Sequence, residues 1–122
     1  MNAINWFEIP TRNIAAAKPF YEKILGGQLI DHNNLPGMKM SILPYEEPGV
    51  GGALIESDQA IPGPNGVLIY LNGGDDLSAI LERIPDAGGT VVMKKTLVTP
   101  DIGYIALFRD LDGNVLGLHS MN

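Results

Sequence analysis

Few side chains in this chain of 122 residues have the chemistry for catalysis or metal binding. There is no cysteine, which excludes disulfides, thiolate metal ligands and cysteine nucleophiles together. His32, His119 and the carboxylates remain as the plausible metal ligands, so structural zinc is not expected. No residue pattern indicates a nucleophilic triad, and no lysine follows the paired glycines at the spacing of a phosphate-binding loop.

Charge and length narrow the function classes further. The formal net charge is −6 and the sequence pI is near 4.6, which argues against a nucleic-acid partner because phosphates need clustered Lys and Arg. Lys94-Lys95 is the only basic pair. No run of 18 or more apolar residues and no signal-peptide pattern is present, so we expect no membrane partner and a cytoplasmic location.

The chain contains two similar segments, and the elements that they form would position any functional side chain. A helical stretch opens at Asn13 and closes at Gly26-Gly27, and another opens at Asp76 and closes at Gly88-Gly89, at a near-constant offset of about 63 residues. Each follows a short apolar strand candidate. This spacing predicts two copies of one supersecondary unit, with a small-molecule cleft between them.

The first copy begins with a strand at residues 4–9. Asn13 is a suitable N-cap, and Gly26-Gly27 provide a left-handed helix end. Pro19 lacks a backbone donor inside this helix, so we expect a kink or a late helix start. Further strands are predicted at residues 28–32, 37–43 and 51–56, with the register of Gly51 to Glu56 left open.

The second copy repeats this order from a strand at residues 67–71. Its helix is expected to start at Asp75 or Asp76 and to end at Pro85, with Leu77, Ile80, Leu81 and Ile84 facing inward. Strands follow at residues 90–93, 103–108 and 115–119. The prediction is an α+β fold of two tandem βαβββ modules, residues 1–58 and 64–122, joined by a linker at residues 59–63.

This pattern resembles the vicinal oxygen chelate superfamily, which includes glyoxalase I, bleomycin resistance proteins and extradiol dioxygenases. The residues that carry the resemblance are Phe20-Tyr21, Gly88-Gly89 and the turn Asp110-Leu111-Asp112-Gly113-Asn114. The opening residues 6–10 and the tail 108–114 are most similar to an uncharacterised bacterial branch related to lactoylglutathione lyase. The resemblance implies a glyoxalase-type cleft of curved mixed sheet.

The resemblance also implies where a divalent metal would be ligated. The expected ligand positions fall on Trp6 in the first strand, on Ile69 or Leu68 in the fifth, and on Gly117 in the last. None of these residues ligates a metal, and only Glu56 in the fourth strand is a weak candidate. Because such a site needs about three or four ligands, we expect no cofactor, with a divalent metal possible but disfavoured.

Strand parity places Trp6 and Glu8 on one face, which the resemblance identifies as the cavity face, and Phe7 and Ile9 on the other. Glu8 and His119 each lie two residues from a vacated ligand position and are catalytic candidates as an acid–base pair. Alternatively, Glu8 accepts hydrogen bonds at a strand end and His119 is solvated. The predicted ligand-binding residues are Trp6, Glu8, Leu54, Glu56, Ile69, Leu71, Phe108, Gly117 and His119, with Gly117 leaving space beside the Trp6 ring.

Three functions remain open. The first is a metal-free homodimer that binds a small aromatic or amphipathic molecule. The second is a lactoylglutathione lyase-like lyase or isomerase that retains a metal through Glu56, His119 or a partner chain. The third is an accessory domain of a larger complex.

Overall fold

The computed structural model describes residues 2–122, which form two helices and eight strands. The predicted α+β fold of two tandem βαβββ modules is confirmed. By contacts the chain divides into two compact units, Met1–Pro62 and Gly63–Asn122. No helix in the described part of the chain is long and apolar enough to span a membrane. The elements are β1 (Trp6–Pro10), α1 (Ile14–Leu25), β2 (Ile30–Asp31), β3 (Lys39–Ile42), β4 (Gly51–Glu56), β5 (Tyr70–Asn72), α2 (Ser78–Ala87), β6 (Thr90–Thr99), β7 (Gly103–Arg109) and β8 (Val115–Ser120).

The first unit is a four-stranded sheet in the order β1-β4-β3-β2, with β1 parallel to β4 and the other pairs antiparallel. Leu54 aligns with Ile9 on one side and with Ser41 on the other, and all three are buried. Glu56 shares this face and accepts a hydrogen bond from the first amide of α1. The helix therefore packs on this face. Trp6 and Glu8 lie on the opposite face.

The second unit has the same topology, in the order β5-β8-β7-β6. Leu118 aligns with Leu71 on one side and Ala106 on the other, and all three are buried. Ser120 shares this face, and its hydroxyl accepts a hydrogen bond from the backbone N–H of Leu77 at the start of α2. The face that carries Leu118 is therefore the helix-packed face of the second sheet.

The two units repeat individual hydrogen bonds as well as element order. The Thr11 amide donates to the Ile55 carbonyl at 2.9 Å, and the Gly73 amide donates to the His119 carbonyl at 2.7 Å. Both bonds connect the residue after the first strand of a unit to the last strand of that unit. Ile55 and His119 are therefore equivalent, and so are Glu56 and Ser120, the next residue in each strand. Glu56 and Ser120 also each accept a hydrogen bond from the backbone at the start of the helix in their unit.

Helix α1 begins and ends where its caps predict. The Asn13 side chain accepts from the Ala15 amide, and Gly26 adopts a left-handed conformation with φ of 75°. Of the two outcomes expected at Pro19, a kink or a late helix start, the late start is wrong, because the helix begins at Ile14 and continues through the proline. Pro19 and Ala15, whose carbonyl loses its helical donor, are both exposed, so water can satisfy that carbonyl.

Helix α2 differs more from its prediction. It continues through Pro85 to Ala87, so the prediction that Pro85 ends it is wrong. Gly88 ends the helix instead, with a left-handed φ of 102°. Pro85 is exposed while Ile84 is fully buried, so burial of the apolar stripe outweighs the lost backbone donor at this late helical position.

Several strands are shifted or resized relative to their predictions. The strand predicted at residues 67–71 is observed at Tyr70–Asn72, and β2 is only two residues long. The strand predicted at residues 90–93 extends to Thr99 as β6, with register shifts along its pairing with β7. These bounds depend on the partner strand, which local sequence does not specify.

Candidate functional site

Two aromatic rings form a corner on the outer face of the first sheet, the face opposite α1. The rings of Trp6 and Tyr45 lie 6.4 Å apart between centroids and at 83° to each other. The two residues are 39% and 43% exposed. A planar molecule stacked on one ring would lie nearly perpendicular to the other, and stacked and edge-to-face contacts are both favoured aromatic geometries.

A glycine makes this corner possible. Gly51 is the cross-strand partner of Trp6, and a Cβ at that position would lie 2.7–2.8 Å from ring carbons of Tyr45. Such a contact is closer than real Cβ atoms allow, so the Tyr45 ring occupies the place of the missing side chain. Glu8 follows two residues along β1 on the same face and is exposed. The corner therefore combines aromatic surface with an exposed carboxylate.

The outer face of the second sheet has a related arrangement. Tyr70 is the cross-strand partner of Gly117, and its ring lies where a side chain at residue 117 would be. The prediction that Gly117 leaves open space is therefore wrong, because Tyr70 of the same unit already fills it. Tyr70 remains exposed on its other side.

His119 lies on this outer face and already has a partner. Its Nε2 is 2.6 Å from the carbonyl oxygen of Ile102. Because a carbonyl only accepts, Nε2 carries the proton in this contact, which leaves Nδ1 as the acceptor in the neutral ring. Glu8 belongs to the first unit and His119 to the second, and their action as an acid–base pair stays a prediction.

Some predicted ligand-binding residues lie on the wrong face. Leu54 and Glu56 share the α1 face, opposite Trp6 and Glu8, and Leu54 is fully buried. Leu71 and Phe108 likewise lie on the α2 face and are buried. Their predicted place on the cavity face is wrong. A difference of one residue between the predicted and the observed register of a strand places each side chain on the opposite face of the sheet.

The fifth-strand position is displaced in the same way. The residue over Gly117 is Tyr70, whereas Ile69 precedes the strand and contributes its carbonyl, which accepts from the Gly117 amide at 2.8 Å. Tyr45 and Tyr70 are the site residues that sequence reasoning missed. Tyr70 has a recognisable signal, because it is one residue from a predicted ligand position. Tyr45 comes from the loop between β3 and β4, which has no periodic pattern.

The donor set does not fit a divalent metal site. The Glu56 carboxylate accepts from the Ile14 amide at 2.8 Å through Oε1, and its Oε2 lies 3.7 Å from Lys39 Nζ. Over residues 2–122, no three His, Asp or Glu side chains come together in a group suited to a metal ion. A site with fewer than three protein ligands lacks the usual donors of a catalytic divalent ion.

Comparisons with known proteins agree on the fold. A family model for the glyoxalase/bleomycin resistance protein/dioxygenase superfamily matches residues 3–118. Comparison with curated proteins gave no match. The solved structure of TnmS3, an antibiotic binding protein from Streptomyces sp. CB03234, is similar at 25% identity, over 98% of this chain and 96% of that chain, with a TM-score of 0.72. A glyoxalase/bleomycin resistance protein from the same organism is 27% identical over 94% of this chain and 97% of that chain, with a TM-score of 0.71. Glyoxalase I from Zea mays is 18% identical over 95% of this chain and 43% of that chain, with a TM-score of 0.69.

Proposed function

Because this chain belongs to the glyoxalase/bleomycin resistance protein/dioxygenase superfamily, we propose that it is a metal-free protein that binds a small aromatic molecule. The observation that carries the proposal is the Trp6–Tyr45 corner on the outer face of the first sheet. Two exposed rings at nearly a right angle offer one planar ligand both a stacking surface and a perpendicular ring for an edge-to-face contact. Gly51 beneath them keeps that surface free of another side chain.

Charge favours a cationic or neutral ring system over an anionic one. Glu8 is exposed on the same strand face as Trp6, at about 7 Å along the strand. The whole chain carries a formal net charge of −6, which attracts cations and repels anions at low ionic strength. A cation over an indole ring also gains a cation–π attraction. The ligand class is therefore a flat amphipathic molecule with a positive or neutral ring.

Relatives and donor chemistry support binding over metal-dependent catalysis. TnmS3, which is 25% identical over nearly its whole length, is described as an antibiotic binding protein. A lyase or isomerase of this superfamily would need a metal to stabilise the developing oxyanion, and the described residues lack the donors for it. Sequestration of an aromatic compound needs only the surface described above.

Trp6 is the sole tryptophan, so its emission reports directly on the proposed site. Titration of the purified protein with 9-aminoacridine, a flat cation, should change Trp6 emission saturably. The anionic dye 1-anilinonaphthalene-8-sulfonate should bind more weakly at the same ionic strength. Absence of a saturable change with either planar probe, or stoichiometric metal together with turnover of a glutathione hemithioacetal, would contradict the proposal.

A homodimer is the assembly we propose for this protein. In the second sheet β6 is a terminal strand of ten residues, and it carries exposed Val92, Leu97 and Val98. A long edge strand that exposes several apolar side chains favours coverage by another chain. Light scattering after size exclusion should give twice the mass of the 13.1 kDa chain, and a monomer at micromolar concentration would contradict the dimer without affecting the binding proposal.

A further inference from the structure

The first unit contains a cavity that is separate from the aromatic corner. It lies at the carboxyl ends of the parallel strands β1 and β4, beside the start of α1, and its volume is about 670 Å³. Neither Trp6 nor Tyr45 lines it. A volume of this size is within the range of sites for small molecules. The carboxyl end of parallel strands is also where ligands bind in many sheets with helical crossovers.

The second unit provides an internal comparison. Its equivalent cavity, at the carboxyl ends of β5 and β8, has a volume of about 450 Å³. Where the first cavity has Glu56, the second has Ser120, and its lining includes no Asp, Glu, Lys or Arg. The same backbone arrangement thus carries charged side chains in one copy only. Backbone topology alone does not require those charges.

Charges of both signs line the larger cavity. The lining includes Arg12 and Lys39 as cations and Glu56 and Asp58 as anions. One Glu56 oxygen is used by the Ile14 amide, and the contact of the other with Lys39 is long, at 3.7 Å. The Lys39 side chain is 68% exposed, so its ammonium can reach a ligand. The formal charges cancel, so a ligand with one charge of each sign matches the cavity better than a simple anion or cation.

Aliphatic side chains complete the wall. Leu35 and Ile61 line the cavity from the two loops that follow β2 and β4, and Ile61 is 81% exposed. Met38, which directly precedes β3, adds a flexible apolar side chain to the lining. An aliphatic group that covers Leu35 and Ile61 would remove apolar surface from water.

We propose that this cavity binds an aliphatic zwitterion of the α-amino acid class. Its carboxylate pairs with Lys39 and Arg12, its ammonium pairs with Asp58, and its side chain packs on Leu35 and Ile61. This site is additional to the aromatic corner and does not depend on it. Both charges of the ligand contribute, since each charged group placed against an opposite charge strengthens binding.

L-leucine is the probe for this site, with 4-methylpentanoate and 3-methylbutan-1-amine as analogues that each lack one charge. L-leucine titrated into 15N-labelled protein should shift the amides of residues 33–35, 37–39 and 56–61 and leave Trp6 emission unchanged. Each analogue should bind about tenfold more weakly, as expected for the loss of one charged hydrogen bond. Equal affinity for the three compounds would overturn the proposal. So would the absence of amide shifts at about 10 mM L-leucine, a concentration that detects even a dissociation constant in the millimolar range.

Substitutions in the cavity test the contacts of the ligand's ammonium and of its carboxylate separately. Asp58→Asn and Lys39→Gln should each weaken L-leucine binding about tenfold. Asp101→Asn and Lys94→Gln, at exposed residues that do not line the cavity, should leave it unchanged. Thermal melting of each of the four variants should give a cooperative transition, which checks that the variant folds. Asp58→Asn should weaken the binding of 4-methylpentanoate less than that of L-leucine, because only L-leucine has an ammonium group that pairs with Asp58. Equal effects of pocket and control variants would refute the assignment.

Discussion

The ring of Tyr70 lies against Gly117 in the neighbouring parallel strand, in the place that a side chain at residue 117 would take. The first sheet uses the same device twice, with Phe7 over Gly52 and Tyr45 over Gly51. An aromatic ring over a strand glycine covers backbone that would otherwise lack packing. The glycines therefore determine where aromatic rings lie on each sheet.

Gly117→Ala should destabilise the protein by displacing the Tyr70 ring. A Cβ there would approach ring carbons more closely than real Cβ atoms do, and overpacking of this kind costs about 1–3 kcal/mol. Urea unfolding measures the change. Gly63→Ala is the matched control, because nothing lies within 4 Å of its Cβ position. If Tyr70→Ala did not reduce the cost of Gly117→Ala, the two residues would not be coupled.

Glu56 and Ser120 should act as equivalent anchors for the starts of α1 and α2. Glu56→Ala removes the acceptor for the Ile14 amide and should cost about 1 kcal/mol, whereas Glu56→Gln keeps an acceptor and should cost less. Ser120→Ala leaves the buried Leu77 amide without its acceptor at 2.9 Å and should cost about 1–3 kcal/mol. Amide exchange at Ile14 and Leu77 should accelerate only in the corresponding variant. Unchanged exchange would contradict the anchoring role.

Asp76 should give the stability of the second unit a dependence on acidic pH. Hydrogen bonds from the Ser78 amide and then from Lys95 lower the pKa of Asp76 from 3.8 to about 2. Because the folded-state pKa is depressed, the carboxylate stabilises the fold above pH 3.8, and this contribution is lost as the pH falls through about 2. The stability difference between wild type and Asp76→Asn should therefore shrink between those pH values.

A titration of the Asp76 carboxyl by NMR tests the cause directly. Lys95→Gln should raise the titration midpoint of Asp76 only partly, since the larger contribution, the Ser78 amide, remains. A midpoint that returns fully to 3.8 in Lys95→Gln would show that the lysine, and not the helix start, controls this group.

Substitutions at the aromatic corner should separate affinity from selectivity. Tyr45→Ala removes one ring of the pair at 6.4 Å and should weaken 9-aminoacridine binding about tenfold, which corresponds to about 1.4 kcal/mol. Glu8→Gln should reduce the preference for the cationic probe over the anionic dye and leave thermal stability unchanged. His32→Ala, in a loop outside the corner, is the control. Equal preference ratios for wild type and Glu8→Gln would remove Glu8 from the site.

Metal analysis should separate the binding proposal from a metal-dependent reaction. After incubation with zinc, nickel, iron or manganese and removal of free ion, the protein should retain less than about a tenth of an ion per chain, because fewer than three donors converge. Glu56→Ala should not alter this value. If the protein retained one metal ion per chain and Glu56→Ala abolished this binding, Glu56 would be a metal ligand. The prediction that no metal is bound would then be wrong.

Local sequence was sufficient for the element order, the repeat and the face of the first strand. Asn13 and Gly26 act through neighbours within a few residues, so their capping roles are readable without a structure. Alternation along β1 correctly separated exposed Trp6 and Glu8 from buried Ile9, because an extended strand alternates its side chains by itself.

Only the tertiary structure decided how the other strands align with that face. Alternation divides Gly51–Glu56 into two sets, but it does not say which set shares a side with Trp6; that depends on the pairing of Trp6 with Gly51. The same holds for Tyr70 and Gly117, whose pairing placed a tyrosine where the sequence predicted space. Tyr45 reaches the site from the loop between β3 and β4, through contacts that no periodic pattern encodes. Registers and aromatic–glycine contacts join residues far apart in the chain, and such pairing is settled by packing across the sheet rather than by local propensity.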